Sequence, residues 1–176
     1  MMKEVLKLDG KLLCEVRAIR YLLNSWDDLD SAEALLDKKI YSQTLFHCQQ
    51  ACEKSSKACL ALFGLLFIEE HKCSDFLKTV IIPNSEKLAN KFKELVPKVV
   101  EIENNYIISR YGVDKKGFVH LKEYELSEIT DFLNVSFEFV ELCEKFIEQQ
   151  MKKALPKSKE QLVLYLKENY KQFIKD

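Results

Sequence analysis

Between Phe46 and Gly64 the chain reads FHCQQACEKSSKACLALFG, which puts a histidine, three cysteines, two adjacent glutamines and a Glu-Lys pair into one helix-sized window. Cys48 and Cys52 stand at i, i+4, a spacing that can bring two sulfurs to one metal ion. They share their helical face with Cys59, Leu45, Leu62 and Phe63, and thiols in such company pack as small apolar groups. Cys14, Cys73 and Cys143 stand alone, without CxxC spacing. The reading is therefore of reduced, mostly buried thiols, with no metal and no cofactor.

The other chemistry-bearing residues are histidines and cations. No Ser or Cys is set beside a His by any motif, so spacing proposes no nucleophile and base pair. His47 falls near a polar stripe, whereas His71 and His120 fall in loops and are the stronger functional candidates, because loops on a rigid scaffold carry function. Gln43, His47, Gln50, Lys54 and Lys57 form that stripe, opposite the cysteine face. One reading takes Gln50, Lys54 and Lys57 as a solvated face supported by i, i+4 pairs; the other takes Gln43, Gln50 and Lys54 as a polar row that lines an interface or meets a phosphate. Periodicity alone favours the first. Arg110 closes an apolar and aromatic helix that includes Tyr106 and Tyr111; there it either complements the helix macrodipole or serves a ligand. Lys152, Lys153, Lys157 and Lys159 read as a solubilising rim.

Composition limits what these groups can serve. The 176 residues carry a formal charge of -1, are 47% hydrophobic and 31% charged, and hold only 4 Gly and 3 Pro. Such a balance describes a globular chain of one domain with a sizeable core and excludes a globally basic nucleic-acid binder. Sparse turn punctuation amid many Leu, Lys and Glu predicts a few long helices, hence an all-α fold. The longest uncharged apolar run, Cys59 to Ile68, is too short to span a bilayer, and MMKEVLKLDGK has no apolar leader core, so a cytoplasmic location without membrane contact is expected.

The elements that must position the candidates follow from periodicity. Leu12, Val16, Ile19 and Leu23 mark an amphipathic helix. Asn24-Ser25 before WDD offers a cap, which leaves open one helix or two over 11–38. A second helix runs from Tyr41 to Gly64, with Gly64 as its C-cap. Shorter pieces fill 69–86, with Pro83-Asn84 as a turn. Pro97 suits a first helical turn, which predicts a helix from there through Val99, Ile102 and Tyr106 toward Arg110. GVDKKG, residues 112–117, reads as a loop. Ile129 through Ile147 keep a three/four repeat that predicts the longest helix, about 127–153, ended by Pro156. Ser158 and Gln161 match a capping box before a last amphipathic helix through Leu162, Tyr165, Leu166 and Phe173, packed on the bundle or on a second subunit. The simplest architecture is an up-and-down bundle of four to five core helices with added terminal helices.

The segment from Trp26 to Gly64, with Asp28, Leu29, Ala32, Leu35 and Leu36, then Tyr41, Phe46, Gln49, Gln50, Ala51, Glu53, Lys54, Lys57, Ala58 and Leu60, resembles the HEPN domain family and its DL...A..LL and Y..A.F..QQA.EK..KA.L signatures. The resemblance covers roughly 26–150. Ser109-Arg110-Tyr111-Gly112 stands where the family carries ARYP, with Ser for Ala and Gly for Pro. It implies a prokaryotic helical bundle, commonly a homodimer, often paired with a minimal nucleotidyltransferase in toxin and antitoxin systems. It also implies, for many members, a metal-independent ribonuclease that uses an Arg followed after four to six residues by a His. In this chain those positions hold Lys115, Lys116 and Gly117, and the first histidine, His120, follows Arg110 after nine intervening residues.

The reading that results is a HEPN-like bundle over 1–155 with an appended amphipathic helix over 156–176. Its leading function is a non-catalytic, homodimeric module that engages nucleotide, RNA or a nucleotidyltransferase partner. Gln50, Glu53, Lys54, Lys57, His71 and Tyr111 are the candidate ligand contacts. The alternative is a metal-independent endoribonuclease with Arg110 and His120 as catalytic residues. A purely structural dimer, joined through the C-terminal helix, is the third.

Overall fold

One continuous helix, α1 (Met2–Asp37), resolves the open question at the N-terminus. In the computed structural model, which describes residues 2–65, 73–113, 116–119 and 123–174 (side chains from residue 10 onward, except 106–108), Asn24-Ser25 does not start a new helix. Ser25 Oγ instead donates to the Leu22 carbonyl at 2.6 Å inside α1, the local bond that lets a serine sit within a helix. Helix α1 ends where Lys39 takes a left-handed φ of 59°. The Lys39 amide then donates to the Leu36 carbonyl and the Ile40 amide to that of Leu35, so the chain reverses at once into α2 (Tyr41–Ala61). The two helices pack along their length as an αα-hairpin.

Helix α2 closes at the expected glycine. Gly64 sits at φ +81°, its amide donates to the Ala61 carbonyl, and the Leu65 amide reaches back to that of Leu60. These paired bonds satisfy the last carbonyls, and only a residue without Cβ adopts that backbone without strain. The apolar continuation past Leu65 lies outside the described residues.

After 73 come the expected short pieces: α3 (Ser74–Phe76), a π-turn (Leu77–Ile81) and two 3₁₀ turns (Ile82–Asn84 and Glu86–Leu88). The expectation of a helix beginning at Pro97 is corrected. Helix α4 spans Ala89–Asn104 with Pro97 in its interior. The apolar stripe Phe92, Leu95, Val96, Val99 and Ile102 runs through the proline and is buried on both sides of it. Pro97 lies on the exposed side, so the Lys93 carbonyl that loses its partner faces water. A break at Asn105 separates α4 from α5 (Tyr106–Tyr111), the short helix that carries Arg110.

The 112–117 loop is present, with Gly112 and Gly117 at positive φ and Val113 bridged to Val119; Asp114 and Lys115 lie outside the described residues. Helix α6 (Leu126–Met151) is ended by Lys152 in a left-handed conformation, ahead of Pro156. Helix α7 (Lys159–Asn169) begins at the expected cap, where Ser158 Oγ accepts from the Gln161 amide at 3.2 Å. Phe173 falls beyond it, in a 3₁₀ turn (Lys171–Phe173).

The chain is thus an all-α bundle. Helix α2 lies at its centre, against α1, α4, α5 and α6, with α4 also on α6 and α7 on α1. Phe92 meets Phe139 and Phe146 edge-on at 6.1 and 6.0 Å in the core. The C-terminal segment packs on its own bundle: Leu162, Leu166 and Tyr170 are buried, and the Tyr170 hydroxyl donates to Glu15 Oε2 at 2.7 Å. Among the described residues no helix is long and apolar enough to cross a membrane.

Candidate functional site

The polar stripe predicted on α2 is the least covered side of that central helix: Gln43 is exposed, and His47, Gln50, Lys54 and Lys57 are half-buried. A helix packed against four others has little solvated surface, and Thr44, Gln49, Glu53, Ser55 and Ser56 are all buried. Ser55 and Ser56 donate to the Cys52 carbonyl and Thr44 to that of Ile40, which satisfies their hydroxyls inside the helix. The charged residues need partners of opposite sign, because a buried lone charge costs several kcal/mol.

Two hydrogen-bonded sets supply them. Asp28 of α1 is buried; its Oδ2 accepts from Lys54 Nζ at 2.5 Å and its Oδ1 lies 2.9 Å from His47 Nδ1. Lys54 and His47 are seven residues apart, two turns on one face, so a single carboxylate from the facing helix reaches both. The second set centres on Glu53, which accepts from Lys57 at 2.7 Å, from Gln49 at 3.0 Å and from Gln50 at 3.4 Å. Gln50 also donates to Gln49 Oε1 at 2.7 Å. Lys54 and Lys57 thus have their charge matched within the chain.

Arg110 is placed differently. It is exposed on α5, and its guanidinium carbon lies 5.5 Å from the centre of the Phe46 ring and 5.1 Å from that of Tyr111. Stacking on aromatic faces orients the planar cation. Phe46 in turn meets the His47 ring edge-on at 5.2 Å. Contacts therefore run without a gap from Lys54 through Asp28, His47 and Phe46 to Arg110 and Tyr111, across α1, α2 and α5. Tyr111, Phe118 and Val119, near the Arg110 end, are large, apolar or aromatic and exposed by 58, 66 and 72%.

Of the residues singled out from sequence, Arg110 and Tyr111 stand together at one end of this surface, Lys54 is bound to Asp28 of α1, and Gln50, Glu53 and Lys57 form the hydrogen-bonded set within α2. His71 and His120 lie outside the described residues. Asp28, Phe46 and His47 are the residues that sequence reasoning passed over as site members. The signal available for them was the seven-residue spacing of His47 and Lys54.

The cysteines are packing residues. Cys48, Cys52, Cys59, Cys73 and Cys143 are buried, and all six thiols are unbridged. Burial pushes the Cys48 thiol up to about 12 and raises those of Cys52 and Cys59 as well. Cys52 Sγ donates to Ser136 Oγ at 3.6 Å, and Cys59 Sγ to the Cys143 carbonyl at 3.8 Å. Among the described residues no group of three or more His, Cys, Asp and Glu is arranged to hold a metal ion. Much of the lysine rim is ion-paired: Lys157 with Glu144 and Glu148, Lys159 with Asp27 and Asp30, and Lys153 with Glu15.

The family model for the HEPN domain matches residues 19–146, a span that takes in the Asp28 and Glu53 sets, Phe46 and Arg110. The chain is 27% identical over 136 residues to a curated protein of Methanocaldococcus jannaschii named "Putative toxin MJ1304", covering 74% of this chain and 88% of that one. No solved structure matches the chain at a comparable level of similarity. With the family model covering most of its length and an all-α bundle beneath it, the chain belongs to the HEPN domain family.

Proposed function

We propose that this HEPN chain is the RNA-engaging member of a toxin and antitoxin type pair, and that it binds single-stranded RNA at the surface formed by Phe46, Arg110 and Tyr111. The observation that carries the reading is the exposed Arg110 guanidinium set over the Phe46 and Tyr111 rings. A fixed cation takes a phosphate oxygen, and an exposed aromatic face takes an unpaired base. Lys54 is paired with Asp28, which also holds His47 beside Phe46, and Lys57 is paired with Glu53. The relative named as a toxin supports the placement in such a pair.

In this reading the active species is a homodimer joined beside the site, where Tyr111, Phe118 and Val119 expose apolar surface. A minimal nucleotidyltransferase is the antitoxin-side partner. Cleavage of the RNA, with Arg110 and His120 as the catalytic pair, is the alternative. Incubation with single-stranded RNA in the absence of metal, beside Arg110→Ala and His120→Ala, separates the two. Binding without cleavage is expected; cleavage that both substitutions abolish would replace the binding-only reading with the ribonuclease one.

A further inference from the structure

We infer that His47, oriented by Asp28, makes this surface selective for ribose over deoxyribose by accepting a hydrogen bond from a 2′-hydroxyl. The inference deepens the RNA-binding reading above and rests on it.

The Asp28 carboxylate fixes the orientation of the imidazole. It is buried, it is fixed by Lys54, and it offers only acceptor oxygens. The imidazole nitrogen facing it at 2.9 Å, Nδ1, must therefore carry the proton and donate. In the neutral ring the proton on Nδ1 leaves Nε2 with a lone pair, so Nε2 seeks a donor. A phosphate oxygen has no proton to give at neutral pH, whereas a ribose 2′-hydroxyl does.

Position agrees with chemistry. The His47 side chain is 25% exposed, and its Nδ1 faces Asp28. Its ring touches Phe46, whose face underlies Arg110, and the two contacts in series hold the imidazole within about 11 Å of the guanidinium. Neighbouring nucleotides of one strand cover that distance. A strand whose phosphate lies on Arg110 and whose base lies on the Phe46 and Tyr111 side thus brings a sugar to His47. Nothing in the aromatic and cationic contacts tells RNA from DNA, since both carry phosphates and base faces. A fixed acceptor beside them does.

The test is fluorescence anisotropy with a labelled single-stranded oligoribonucleotide and its deoxy counterpart of the same sequence, at one salt concentration. The unsubstituted protein should bind the RNA about threefold to tenfold more tightly, the gain of one hydrogen bond. His47→Phe, which keeps the ring but has no acceptor, should bring RNA affinity down to the DNA value and leave DNA affinity unchanged. Asp28→Asn should do the same while the ring nitrogen resonances of His47 change tautomer, a readout that simple loosening of the fold would not produce. Circular dichroism checks that each variant is folded; if Asp28→Asn is not, His47→Phe decides alone.

Equal affinity of the unsubstituted protein for RNA and DNA, or a ribose preference that survives His47→Phe, overturns the inference and leaves the RNA-binding reading standing. Absence of binding to either strand overturns both.

Discussion

Asp28 on α1 and Lys54 on α2 meet at 2.5 Å, 26 residues apart in the chain, and the same carboxylate holds His47 on its other oxygen. The carboxylate is the most buried of the three groups, so removing it strands two partners, whereas removing Lys54 strands one. Asp28→Ala should cost about 2–4 kcal/mol in urea unfolding and Lys54→Ala about 1 kcal/mol. The double variant should show a coupling of roughly 1 kcal/mol. Strictly additive losses would mean that the pair contributes nothing of its own.

The buried thiols make the protein sensitive to alkali. Folding holds protons on Cys48, Cys52 and Cys59 that the unfolded chain releases above about pH 9, and holds one on Tyr170 that the unfolded chain releases above about pH 10. The folded form binds more protons in that range, so stability is full below about pH 9 and falls as pH rises beyond it. Thermal melts between pH 8 and 11 should show Tm dropping only in the upper part. At pH 8 a thiol reagent should leave Cys48, Cys52 and Cys59 unmodified until denaturant is added.

The C-terminal segment is fastened to α1 by the buried Tyr170 hydroxyl on Glu15 and by Lys159 on Asp27 and Asp30. Lys159 is exposed enough for salt to screen its pairs, so the phenol matters more. Tyr170→Phe leaves the buried Glu15 oxygen with Lys153 alone and should cost about 1–2 kcal/mol. Deleting residues 157–176 uncovers the apolar surface beneath Leu162, Leu166 and Tyr170 and should lower Tm by several degrees. If the tail serves its own bundle, the mass in solution of the dimer proposed above stays unchanged; a shift to monomer would make the tail the dimer contact.

Much of the fold was legible because periodicity and caps are local signals. The three/four repeat of α6, the Ser158 cap and the Gly64 terminus each depend on residues within a turn or two of one another. Pro97 misled for the same reason: its local preference for a first turn was overridden by a buried stripe extending from Phe92 to Ile102. The polar stripe of α2 was located correctly, but the Asp28 carboxylate that pairs with Lys54 and His47 was not foreseen, because which group of a neighbouring helix faces a stripe is a tertiary property. Arg110 and Tyr111 were found through a motif. Phe46 gained its site role only when α5 laid Arg110 over it, and His47 only when α1 brought Asp28 to it.

The central claim, that Arg110 on its aromatic support is the RNA contact, is tested most directly by the dissociation constant of a labelled single-stranded oligoribonucleotide for the unsubstituted protein and for Arg110→Ala. Loss of a charge-assisted phosphate contact held by stacking predicts binding weakened about tenfold or more, with a shallower salt dependence and an unchanged melting temperature. Equal dissociation constants for the two proteins would contradict the account.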